Sequence, residues 1–351
     1  MKAVLMAGGE GTRLRPLTTI LPKPMIPVVN RPIMEYVIAL LESEGIREVI
    51  ATTCYLPSTI QEYFGDGKGF GVTIEYYVEG RPLGTAGGVR NAEEALDGTF
   101  LVVSGDLLTE MELKNMVRFH ESVGAIATIA LTRVPDPMEY GIVELNHDGR
   151  IKRFLEKPAE KEVFSNLINA GIYVLEPEVL KEVKPGTPFD FSRDLFPILL
   201  RKKLPLFGYV FQGYWNDVGN LTQYLQANYD VLAGQVAIKI PEIREGLSRG
   251  STWIEGGLRR EPRVIIKPPS ALGKGCRLGT GSRIGPFTVL GDNVNVGKNV
   301  TIQRSVVMDG VSIGSCSRLS ACAVGKGSTI GADTVTSQEA VAAGGTLEKG
   351  S

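Results

Sequence analysis

Histidine is almost missing from this 351-residue chain, which has only His120 and His147. Neither is near Cys54, Cys276, Cys316 or Cys322, and no C-x-x-C pair occurs, so the spacing of a zinc site is lacking. Reduced thiols in a cytosolic protein are the plain expectation. A surplus of either charge sign is missing too, since acidic and basic residues nearly cancel to a formal net charge of −1. That excludes a broad basic surface for nucleic acid or anionic membrane, so any positive charge that matters must be local. Long apolar runs are also absent. The first one breaks at Gly8, too early for a signal peptide, and none approaches the length of a membrane span. The expected location is cytoplasmic. The length suits two domains of ordinary size.

What the chain does have is concentrated in residues 5–27. A short apolar strand, Lys2 to Met6, runs into Ala7, Gly8, Gly9 and Gly11, then Thr12, Arg13 and Arg15, with Lys23 set between two prolines. Glycine lets backbone amides approach an anion because no Cβ intervenes. Two guanidinium forks and an ammonium beside such amides suit a polyphosphate. The dinucleotide fingerprint is excluded by Leu14, and no G-K-[ST] completes a P-loop. Taken alone, the stretch fits either a phosphate site or a glycine-rich turn with solvated basic residues. The density of Arg and Lys favours the phosphate.

Alternation continues beyond the loop. Asn30 with Pro32 reads as a helix N-cap, and Ile33, Val37, Leu40 and Leu41 recur at helical spacing up to Gly45. Strands are predicted over 48–53, 72–78 and 100–104, and helices over 57–64, 85–96 and 112–122. Strands alternating with helices predict a mainly parallel, Rossmann-like α/β sheet whose ligands bind at the carboxyl ends of its strands. Asp106 and the Pro82–Gly88 run stand at such ends. Asn146 to Gly149 has the chemistry of a hairpin turn between 140–145 and 151–156. His147 at its tip is expected to be solvated, and His120 to stabilise a helix end.

These motifs, in order, resemble the signature of the sugar-nucleotide pyrophosphorylases, which join a sugar 1-phosphate to a nucleoside triphosphate. G-G-x-G-T-R-L-x-P-L-T stands at Gly8 to Thr18 and P-K-P at Pro22 to Pro24. P-L-G-T-A-G stands at Pro82 to Gly87, E-K-P at Glu156 to Pro158, N-x-G-I-Y at Asn169 to Tyr173 and W-x-D-[IV]-G at Trp215 to Gly219. The resemblance implies that Ala7, Gly8, Gly9, Gly11, Thr12 and Arg13 hold the triphosphate. It gives base and ribose to Pro82, Gly84, Thr85, Ala86 and Gly87. Lys23 would sit against the α-phosphate, and Asp106 and Asp217 would hold Mg²⁺. Lys157 would take the sugar phosphate, and Gly141, Glu156 and Asn169 the sugar. The catalytic set so implied is Arg13, Lys23 and Asp106. Glu10, a like charge beside the loop, is expected to point away.

From Ile266 the pattern changes. Ile266, Leu272, Leu278, Ile284, Leu290, Val296 and Ile302 fall six residues apart, and the phase then slips by one at Val307 and again at Val324. A sustained hexad is the mark of a parallel β-helix. The resemblance to hexapeptide-repeat proteins makes it left-handed. Cys276, Cys316 and Cys322 are expected to pack as small coil residues. The expected division is a nucleotidyltransferase domain at 1–235, a linker with imperfect coils at 236–263, and coils with a tail at 264–351. An acyltransferase, the rival that hexad coils invite, needs a histidine base near the coils, and no histidine follows His147. A homo-oligomer assembled through the coils is expected instead. Within the family the motif combination most resembles the mannose-1-phosphate guanylyltransferases, which implies GTP and mannose 1-phosphate as partners. Thymidylyl-, uridylyl-, adenylyl- and cytidylyltransferases stay open. So does a non-catalytic regulatory relative, although Arg13, Lys23, Asp106, Lys157 and Asp217 are all retained.

Overall fold

The computed structural model describes residues 1–237, 240 and 251–350 and divides into two compact units. The first holds Met1–Gly9 and Val37–Trp215, and the second Glu10–Tyr36 and Asn216–Ser351.

In the first unit the unbroken apolar runs Ala3-Val4-Leu5 and Phe100-Leu101-Val102-Val103 are buried, as strands covered on both faces must be. Lys2–Met6 pairs in parallel with Phe100–Ser104 on one side and Glu48–Thr53 on the other. Thr73–Val78 continues the parallel half. Beyond Phe100–Ser104 the nine-stranded sheet turns antiparallel, because Leu167–Leu175 runs against Phe100–Ser104, Ala127–Arg133 and Gly141–Leu145. Gly141–Leu145 and Ile151–Glu156 form the expected hairpin, with His147 exposed at its tip. Strand order reverses between Lys2–Met6 and Phe100–Ser104, and the carboxyl ends at such a switch point are where sheets of this kind bind ligands. The Gly105 amide donates to Met6 O at 2.9 Å, so the loops bearing Gly8 and Asp106 leave the sheet side by side.

Three local expectations are corrected. Asn30 caps no helix, because Pro27–Val28 and Arg31–Pro32 form a small antiparallel pair with Val29 and Asn30 at positive φ in its turn. The helix Ile33–Ser43 begins only after it. The helix foreseen over 85–96 runs Gly84–Asn91 and then tightens into a single turn at Glu93–Ala95. His120, one turn before the end of Leu113–Val123, does not simply face the helix terminus. It is 1% exposed, with Nδ1 2.8 Å from Thr128 Oγ1 and Nε2 3.1 Å from Glu176 Oε1. The Thr99 hydroxyl donates to the same Glu176 oxygen at 2.7 Å. His120→Ala would leave Thr128 without its ring partner beside a new cavity. We expect it to lower stability by about 2–4 kcal/mol, read as a lower urea midpoint, with substrate KM values unchanged.

In the second unit the hexads form a three-sided stack of parallel strands, beginning at Thr252–Ile254 and ending at Thr346–Leu347. This fits the left-handed β-helix that the resemblance implied. Of the foreseen linker, 238–239 and 241–250 lie outside the described residues. The hexad aliphatics Leu272, Leu278, Ile284, Leu290, Val296, Ile302, Val307, Ile313, Leu319, Val324 and Ile330 line one core. The slips in phase have a geometric reason. Arg259 pairs with Arg277, eighteen residues on, whereas Thr301 pairs with Arg318, seventeen on, so the later coils are one residue shorter. Cys276 and Cys322 pack inside, and burial pushes the Cys276 thiol up to about 11. Cys316 does not pack, because it is exposed at a corner with φ 64°. One face of the stack is apolar on the outside as well, with Ala271, Val289, Val306 and Ala323 buried. The helix Leu221–Leu232 approaches the stack through Tyr229, whose ring meets Phe287 edge-on and whose hydroxyl donates to Arg304 O.

Candidate active site

In the first unit the candidates lie on the loops that follow the strand ends. Ala7 is buried, and its amide donates to Thr52 O at 2.9 Å, so Gly8 and Gly9 begin where the sheet lets go. A Cβ on Gly9 would meet nothing within 4 Å, leaving its backbone open to a ligand. Gly84 and Gly87 have a different reason. Their Cβ atoms would lie 2.7 Å from Phe189 O and 2.9 Å from Thr187 O, so these glycines admit another chain segment. The amides of Ala86 and Gly87 donate to Phe189 O at 3.0 and 2.9 Å, and the Phe189 amide donates back to Leu83 O at 2.8 Å. Pro82 and Thr85 stay exposed beside this clasp.

Sequence reasoning missed Glu79. It follows the end of Thr73–Val78, before the Pro82–Gly87 motif, as Asp106 follows the end of Phe100–Ser104, and that shared position was the available signal. Its carboxylate is buried and accepts from the Leu83 amide at 2.8 Å. A Cβ on Gly88 would lie 2.4 Å from Glu79 Oε1, so that glycine makes room for it, while one on Gly8 would sit at an ordinary contact distance of 3.7 Å. Burial raises its pKa, and the Leu83 amide opposes that shift.

The sugar-side candidates gather at the antiparallel half. Asn169 Nδ2 donates to Tyr173 OH at 3.0 Å and to Ser192 Oγ at 3.1 Å, and its Oδ1 accepts from Gly171 N at 2.9 Å. Burial raises the Glu156 pKa, and the nearby Asp190 adds to this. Lys157, Arg193 and a hydrogen bond from Ser192 act against them. Gly141 is required by its own neighbours, since a Cβ there would sit 2.7 Å from both Glu156 Oε2 and the Phe154 ring. Lys157 has φ 48° and is exposed, with Nζ 3.8 Å from Glu139. Trp215 closes this end, donating from Nε1 to Ala170 O at 2.9 Å and meeting the Tyr140 ring edge-on. Asp190, Ser192 and Arg193 had no motif to announce them. Ser192 and Arg193 belong to Phe191–Leu195, a single π-helical turn of the kind that recurs at functional sites, and Asp190 is its N-cap.

The second unit holds the other candidates. Gly11 has φ 65°, and a Cβ there would lie 2.8 Å from Lys23 Cβ, so the loop folds tightly over the lysine stem. The Thr18 hydroxyl pins the turn by donating to Gly11 O at 2.8 Å. Lys23 Nζ donates to Asp217 O at 2.9 Å. A Cβ on Gly219 would meet Asp217 Oδ2 at 3.2 Å and Arg13 Nη2 at 3.3 Å, so guanidinium and carboxylate lie against the same glycine. Thr12 and Arg13 are exposed. Glu10 is engaged by Arg15 at 2.9 Å, which holds this negative charge on an exposed partner.

The Nucleotidyl transferase family model matches residues 2–234, and that of the GMPPB C-terminal domain matches residues 260–346. The chain is 37% identical over 307 residues to a UTP–glucose-1-phosphate uridylyltransferase of Synechocystis sp., covering 79% of each. It is 34% identical over 278 residues to a mannose-1-phosphate guanylyltransferase of Mycobacterium tuberculosis, covering 79% of this chain and 76% of that one. The solved structure of HddC from Yersinia pseudotuberculosis complexed with GMP-PN is similar at a TM-score of 0.56 and 26% identity, over 65% of this chain and 97% of that one. The chain belongs to the nucleotidyl transferase family.

Proposed function

We propose that the protein transfers a guanylyl group from GTP to mannose 1-phosphate, forming GDP-mannose and releasing pyrophosphate. The observation that carries the choice of base is Glu79. An ionised carboxylate only accepts hydrogen bonds. Guanine offers two adjacent donors, N1–H and N2–H₂, on one edge, whereas uracil and thymine offer a single N–H flanked by two oxygens. A carboxylate at the base loop therefore favours guanine over uracil and thymine. The mannose 1-phosphate half rests on the guanylyltransferase relatives.

In this reading a sugar phosphate oxygen attacks the α-phosphorus in line and pyrophosphate leaves. No covalent enzyme intermediate forms, so the residues act by positioning and by charge. Gly8, Gly9, Gly11, Thr12 and Arg13 hold the triphosphate, with Lys23 at the α-phosphate. Lys157 takes the sugar phosphate, and Gly141, Glu156 and Asn169 the sugar. A divalent metal is general in the family. Among the described residues no three His, Cys, Asp or Glu side chains form a metal cage. Single carboxylates fit Mg²⁺, which in phosphate-transfer sites takes one or two of them and fills its shell with phosphate oxygens and water. We assign that role to Asp106 and Asp217. The metal would neutralise phosphate charge. We assign residues 1–235 to catalysis and 264–351 to homo-oligomer assembly. No helix among the described residues is long and apolar enough to cross a membrane, and we place the enzyme in the cytoplasm.

A second reading, uridylyl transfer to glucose 1-phosphate, draws on the Synechocystis relative. Pyrophosphate release across five nucleoside triphosphates and several sugar 1-phosphates separates the two. GTP with mannose 1-phosphate is expected to give the highest kcat/KM. A higher value for UTP with glucose 1-phosphate would replace the proposal with the second reading, and no release from any pair would make the chain a regulatory relative.

A further inference from the structure

The clasp on the base loop continues into the sugar pocket. Thr85 in the base loop donates its hydroxyl to Asp190 Oδ2 at 2.8 Å and accepts from the Phe191 amide at 2.9 Å. The other Asp190 oxygen accepts from the amides of Ser192 and Arg193 at 2.9 and 3.1 Å. Asp190 thus holds the loop with one oxygen and the first turn of Phe191–Leu195 with the other. That turn carries Ser192, whose hydroxyl meets Asn169 Nδ2 and hydrogen-bonds to Glu156. Below it, Phe191 stacks with Phe196 and packs on Tyr173, so the turn rests on a rigid aromatic base. A shift of Thr85 is passed through Asp190 to Ser192, because few soft contacts intervene to absorb it.

We propose that Asp190 is a positioning residue that couples the two substrate pockets, so that nucleotide seated on the Thr85 loop sets Ser192 for the sugar. This rests on the assignment of Thr85 to the nucleotide and of Glu156 and Asn169 to the sugar. By linkage the coupling is reciprocal, so each substrate tightens the other by one common factor. Thr85 then influences sugar affinity without touching the sugar, and Ser192 influences nucleotide affinity without touching the nucleotide.

The test is calorimetric. Sugar 1-phosphate is titrated with and without a non-transferable α,β-methylene triphosphate, using whichever pair turns over fastest. A mistaken base assignment and a failed coupling then show as separate results. In wild type the nucleotide is expected to tighten sugar phosphate binding by about tenfold. Thr85→Val and Ser192→Ala should each reduce that factor to less than about twofold, and Thr85→Ser, which keeps the hydroxyl, should restore it. Thr85→Val combined with Asp190→Asn should lose no more coupling than Asp190→Asn alone, because both remove one shared hydrogen bond. If Asp190→Asn does not fold, Thr85→Val against Thr85→Ser decides. An unchanged factor in Thr85→Val, additive losses in the double variant, or no coupling in wild type would each overturn the proposal.

Discussion

Asp106→Ala is expected to lower turnover by about a hundredfold with GTP and mannose 1-phosphate, and Arg13→Ala by a similar factor. Charge accumulates on the phosphate oxygens as the α-phosphorus is attacked; Arg13 would meet it as a fixed cation, and Asp106 would act through the Mg²⁺ assigned to it. Asp106 follows Phe100–Ser104, where the Gly105–Met6 hydrogen bond fixes the backbone. Alanine removes the carboxylate without disturbing that bond, so the fold should survive and the loss should appear in kcat. Excess Mg²⁺ should recover part of the Asp106→Ala loss and none of the Arg13→Ala loss. Wild-type turnover in either variant would remove that residue from the mechanism.

Glu79→Gln should weaken the preference for GTP over UTP by about a hundredfold while making the protein more stable. The first effect follows from replacing two acceptors with one acceptor and a donor, which suits a pyrimidine edge. The second follows from burial, which raises the Glu79 pKa above its ordinary value near 4.5. Such a group binds more protons folded than unfolded through the window above that value, so stability falls as pH rises through it. Neutral glutamine escapes this loss. Its melting temperature should exceed wild type more at about pH 7 than at about pH 4. An equal gain at both pH values, or an unchanged base preference, would count against a buried charged Glu79 at the base.

Much of this was legible because it was local. Unbroken apolar runs announced the central strands, the Asn146–Gly149 turn announced its hairpin, and the hexads announced the coils. The residues that escaped notice act at a distance. Asp190 matters because Thr85, 105 positions earlier, donates to it. Gly84 and Gly87 looked like a place for ligand backbone contacts, yet Phe189 and Thr187 occupy the space a side chain would need. Asn30 had the composition of a cap, but its amide goes to Leu290 O, 260 positions away. Cys316 looked like a packing residue until a corner left it in water.

That last reach of Asn30 has a consequence for how the chain is made. The segment Glu10–Tyr36, with the glycine–arginine loop, is synthesised early but anchored late. Lys23 waits for Asp217, Val29 for Asn228 and Asn30 for Leu290. Contacts so distant in sequence close slowly and only after much of the entropy of loop closure has been met. On the ribosome the first unit's sheet can assemble while that loop still hangs unfastened, so a nascent chain stopped short of Asp217 has its sheet but none of the contacts that hold Glu10–Tyr36.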